Sequence, residues 1–98
     1  MPKEKLKQKN LRIKKQLKKT IEESGFKQQG NKNILQTLHF FKELANMNLR
    51  ISLNNSSISV HRQIKGTQRW INYFGGGSLY FRNNDGELEN ILTEILNF

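Results

Sequence analysis

Between Lys3 and Lys19, nine of seventeen residues are basic: Lys3, Lys5, Lys7, Lys9, Arg12, Lys14, Lys15, Lys18 and Lys19. Only Glu4 opposes them. The few apolar residues in and just after this run limit what it can fold into. Leu6, Ile13, Leu17 and Ile21 fall within roughly 80° of one another at the helical 100° per residue, so a helix gathers them into one stripe. Thr20 shares that stripe and Leu11 lies off it. The spacing predicts one helix over 1–24, with Ser24-Gly25 as its stop and Gly25 in the left-handed cap conformation. Glu22 and Glu23 sit where the helix dipole disfavours them, so fraying is expected there.

The charge is lopsided. Residues 1–33 hold eleven Lys+Arg against three Asp+Glu, so +8 of the net +9 lies in the first third of the chain. Such asymmetry points to an anionic polymer as partner. Cysteine is absent, which removes disulfides and thiolate metal sites. No apolar run reaches the ~20 residues of a membrane span, and no apolar segment follows the basic start as in a secretory signal. A cytoplasmic chain is expected, without a membrane partner. Ninety-eight residues suit one domain plus an extension. The expected division is a basic amphipathic helix and polar linker over 1–30, then a compact core over 31–98.

Asn33 reads as the N-cap of a second helix, Ile34 to Asn46 or Met47, whose main face is Ile34, Leu38, Phe41 and Ala45. Leu49, Ile51 and Leu53 alternate with Arg50 and Ser52. After a turn at Asn54-Asn55-Ser56, Ile58, Val60 and Ile64 alternate with Ser57, Ser59 and His61, giving a hairpin. Arg62 falls on the apolar side, so a bulge or an edge position is expected. Gln68 to Phe74 is a further strand in which either Trp70 with Phe74 or Ile71 with Tyr73 points inward. Gly75-Gly76-Gly77 breaks it, and Ser78 to Arg82 forms the last strand. Glu87 to Asn97 carries Leu88, Ile91, Leu92, Ile95 and Leu96 at helical spacing. The expected fold is α+β: a small antiparallel sheet of three to four strands with helices on one face, in the order α-α-β-β-β-β-α, preceded by the basic N-terminal helix.

Two surfaces carry chemistry. The lysine helix, through Lys5, Lys9, Arg12, Lys14, Lys15, Lys18 and Lys19, is suited to phosphate neutralisation. The polar sheet face, through Arg50, Arg69, Tyr80 and Arg82, is suited to phosphate contact and base stacking. His39 and His61 have no metal-pair spacing, and neither a Ser/His/Asp set nor paired carboxylates can be assembled. No catalytic residue, cofactor or metal is therefore expected.

The order of Gly66-Thr67-Gln68-Arg69-Trp70, Gly75-Gly76-Gly77 and Leu79-Tyr80-Phe81 resembles the turn, Trp strand, Gly turn and strand of small three-stranded-sheet DNA-binding modules of the integrase arm-binding type. It departs at Arg82-Asn83-Asn84-Asp85-Gly86, where those modules open an Ala-rich helix. The α-β-β-β-α order from residue 34 is similar to a double-stranded-RNA-binding domain, although the final helix is acidic where that family's is basic. These readings converge on a small non-enzymatic protein that binds DNA or RNA. The alternative is a protein-binding modulator or inhibitor of a nucleic-acid-handling enzyme, of the phage or plasmid accessory type, such as an anti-defence inhibitor. Leu6, Ile13, Leu17 and Ile21 offer a homodimer seam, or else a face that docks on the chain's own core.

Overall fold

Helical periodicity sets the first element of the computed structural model, which describes residues 3–30, 32–72, 79–81, 90, 93, 94 and 97. Helix α1 runs Lys3–Glu23. Leu17 and Ile21 are buried, and Ile13 packs half-buried against the same core. The helix ends at the expected place. The Gly25 N–H donates to Glu22 O at 3.1 Å, the Phe26 N–H donates to Ile21 O at 3.4 Å, and Gly25 has φ +91°. That pair of bonds is a Schellman cap, and it places Phe26 in the core beside Ile21.

Two cations compensate the acidic helix end. Lys18 Nζ donates to Glu22 Oε1 at 2.6 Å, and Lys42 Nζ donates to Ser24 O at 2.7 Å. The second contact brings a cation from the sheet to the negative end of the helix dipole.

The remaining described elements are strands: β1 (Lys27–Gln29), β2 (Leu38–Glu43), β3 (Met47–Leu53), β4 (Ser57–Ile64), β5 (Ile71–Asn72) and β6 (Leu79–Tyr80). They form one antiparallel sheet in the order β1-β2-β3-β4-β5, with β6 also pairing β4. The protein is α+β, with one described helix on a sheet of six strands, against an expected three to four.

The expected second helix over 34–47 is not formed. Pairing decided this. The β2 register sets Leu38 opposite Leu53 and Phe40 opposite Ile51, with Leu38 and Phe40 fully buried and His39 and Glu43 exposed. A helix apolar on several sides would need cover all round, whereas a strand needs it on one face only. Asn33, read as a helix N-cap, instead builds a turn. Its Oδ1 accepts the Leu35 N–H at 3.0 Å and its carbonyl accepts the Gln36 N–H at 3.0 Å.

The hairpin around Asn54-Asn55-Ser56 is present, closed by the Asn54 N–H donating to Ser57 O at 2.8 Å. No bulge occurs at Arg62. The β3–β4 register runs unbroken from Leu53↔Ile58 to Met47↔Ile64, and β4 is interior. Arg62 stands between Leu49 and Ile71 in register, where a long aliphatic stem covers apolar neighbours. The expected helix over Glu87–Asn97 lies outside the described residues except at Asn90, Thr93, Glu94 and Asn97. The core lies between α1 and one sheet face: Leu17, Ile21 and Phe26 against Leu38, Phe40, Leu49, Ile51, Leu53, Ile58 and Val60, with Phe81.

Candidate nucleic-acid interface

Docking α1 through its apolar stripe fixes where each lysine stands. Lys7, Lys9, Arg12, Lys15 and Lys19 are exposed. Lys18 is half-buried and paired to Glu22, and the Lys5 side chain lies outside the described residues. Among the described residues the other ion pair is Lys65–Glu43 at 3.3 Å, so the exposed helix cations have no acidic partner there. Leu17 at 2% and Ile21 at 0% exposure are spent on the chain's own sheet, Ile13 is half-buried, and the Leu6 side chain lies outside the described residues. Leu17 and Ile21 therefore offer no surface to a second copy.

Lys14 departs from the expected basic face. It is 0% exposed. Its Nζ donates to Ile34 O at 2.6 Å, Gln36 O at 2.6 Å and Asn55 Oδ1 at 2.8 Å. Three acceptors match the three N–H bonds of an ammonium. Burial pushes its pKa down. One side chain thus ties α1 to the 34–37 loop and to the β3–β4 turn. The sequence carries the signal: Lys14 stands three residues before Leu17 and seven before Ile21, which places it on the stripe.

The sheet residues gather on the opposite side. Leu49, Ile51 and Leu53 face α1, so Arg50 and Ser52 point away from it. On that face, where Ser57 and Ser59 are buried, the Arg50 guanidinium lies 4.7 Å from the Trp70 ring centre, and Phe41 meets Trp70 edge-on at 6.5 Å. The facing of the third expected strand is thereby settled, with Trp70 on the face turned away from α1 and Ile71 opposite Arg62. His61 pairs with Arg50 in register. Desolvation, and then the Arg50 charge, hold its pKa below the ordinary imidazole value. Arg50 Nε and His61 Nδ1 are buried without a hydrogen-bond partner among the described residues.

Tyr80 is 51% exposed and pairs with Ser57, and Arg69 is exposed beside Trp70. Arg82 lies outside the described residues. The expected contact residues therefore split: the helix cations stand on one side of the sheet, and Arg50 and Tyr80 stand on the other.

A cavity of about 400 Å³ opens next to Lys14, between the first half of α1, the 34–37 loop and the β3–β4 turn. Lys7, Gln8, Asn10 and Leu11 line it from the helix, Leu35 from the loop and Asn55 from the turn. Asn55 is held at both ends, its Oδ1 by Lys14 and its Nδ2 donating to Leu35 O at 3.0 Å. Sequence reasoning missed this site because its walls come from three separate segments.

Among the described residues, no group of three His, Cys, Asp or Glu side chains could hold a metal ion, and no helix is long and apolar enough to cross a membrane. The chain matches no protein-family model, no curated protein and no solved structure.

Proposed function

We propose that this chain is a small non-enzymatic nucleic-acid-binding protein of the cytoplasm that grips phosphate backbone on the outer surface of α1. One observation carries the reading: Lys9, Arg12, Lys15 and Lys19 are exposed, without acidic partners among the described residues, on a helix whose inner side is locked to a sheet. They span about 15 Å at the helical rise of ~1.5 Å per residue. Because the helix is already docked, little ordering entropy is lost when phosphates bind, and released counterions supply the driving force. Lys14 takes no part, because its ammonium is enclosed. Arg50 and Tyr80 lie across the sheet and form a separate surface.

Affinity for DNA and RNA measured against salt tests the proposal. Four phosphate contacts give a log–log slope of about −3.6 on duplex and about −2.8 on a single strand. A flat plot, or no binding at about 50 mM salt, overturns it. Stoichiometric co-purification with a host protein, without any shift of nucleic acid, would instead favour the modulator reading.

A further inference from the structure

We infer that the cavity between α1, the 34–37 loop and the β3–β4 turn receives one unpaired nucleobase, from a single strand whose phosphates follow the helix. The inference rests on the nucleic-acid reading above and narrows it to unpaired strands. The cavity of about 400 Å³ lies within the ~300–1,000 Å³ range of small-ligand sites. Its lining has the chemistry of a base site. Gln8 and Asn10 each present an amide donor and an acceptor, which is what the polar edges of bases require. Leu11 and Leu35 offer apolar surface to the flat faces of a base, and Leu35 is held at the mouth with 62% exposure. Among the described residues Lys7 is the one charged residue in the lining, which favours an anionic ligand.

The phosphate track leads to this mouth. Lys7, Leu11 and Lys15 follow one another at i, i+4 and i+8, so they share one flank of α1. Lys15, one of the exposed cations proposed to grip phosphate, lies about 6 Å along the axis from Leu11. A paired base stays in its stack and cannot enter, whereas an unpaired one can. Lys14 acts as a positioning residue: by holding Ile34 O, Gln36 O and Asn55 Oδ1 it fixes two of the three walls before any ligand arrives.

Fluorescence anisotropy tests this with a labelled strand of about ten nucleotides, the same sequence as a duplex, and strands in which one abasic sugar is moved along the chain. The wild type, Leu35→Ala and Ser56→Trp, which fills the cavity from the turn, are compared after melting curves show both variants folded. Wild type is expected to prefer the single strand about tenfold, and each variant to lose about tenfold on the single strand alone. At one position the abasic strand should bind wild type as weakly as the intact strand binds Ser56→Trp. Folded variants that keep full single-strand affinity overturn the cavity reading and leave the helix reading standing. No binding of either nucleic acid overturns both. A free nucleoside monophosphate that binds as tightly as the strand overturns the strand as ligand.

Discussion

The outer surface of α1 and the sheet face turned away from it both carry cations, placed differently. On the helix, Arg12 and Lys15 stand in solvent with no acidic partner among the described residues. On the sheet, Arg50 is half-buried with its guanidinium stacked on Trp70, and its Nε is already out of water. A stacked, desolvated guanidinium has less left to offer a phosphate than a solvated ammonium on a docked helix. Position relative to the core, and not residue type, separates cations that hold the fold from cations that meet a partner. Lys14 and Lys15 make the same point within two adjacent residues.

The largest expected effect sets the two surfaces against each other. Arg12→Glu, Lys15→Glu and Lys19→Glu together should cost at least about a hundredfold in nucleic-acid affinity, and Arg50→Gln less than about threefold. Equal losses in an anisotropy titration would erase the distinction. Next comes stability on the helix side. Lys14→Met leaves three acceptors without their donor and is expected to cost about 2 kcal/mol, or on the order of 10 °C in Tm. Lys15→Met should stay within about 0.5 kcal/mol. A Lys14→Met protein that melts at or above wild type by circular dichroism would mean that burying the ammonium is a net cost.

Smaller again, Trp70→Ala should cost about 1 kcal/mol through lost stacking while leaving affinity unchanged. A loss of affinity there would move the interface to the sheet. The smallest effect is on pH. His61 holds its proton less well in the folded chain than at its ordinary value of 6.5, so the unfolded chain binds more protons in that window. Stability should therefore rise with pH through it and fall as pH drops below about 6.5, and His61→Gln should flatten that limb of a denaturation series.

Helix α1 is legible in the sequence because its stripe and its Gly25 stop are both local signals. The β3–β4 hairpin is legible because Leu49 to Leu53 alternates strictly and the Asn54-Asn55 turn is nearby. Residues 34–47 are not legible. Their apolar residues satisfy a helical and a two-residue period about equally, and the pairing of Phe40 with Ile51 decided between them. On the candidate interface, Lys9, Arg12, Lys15 and Lys19 are exposed as charge alone implies. Lys14 escapes because a lysine on an apolar stripe is read as solvated until its three acceptors are seen. Those acceptors lie twenty or more residues away in sequence, at Ile34, Gln36 and Asn55.

The same latch has a consequence for how the chain folds. From β1 to β5 each strand pairs with its successor, joined in the β2–β3 and β3–β4 hairpins by three-residue turns, so the sheet can grow by short loop closures. The bond from Lys14 to Asn55 instead spans 41 residues. It is expected to form after the rate-limiting barrier, as the helix settles on a sheet already assembled. In stopped-flow refolding Lys14→Met should then leave the folding rate nearly unchanged and speed unfolding, and the reverse pattern would place the latch in the nucleus. A chain built this way keeps its native lifetime, more than its folding speed, in one buried ammonium.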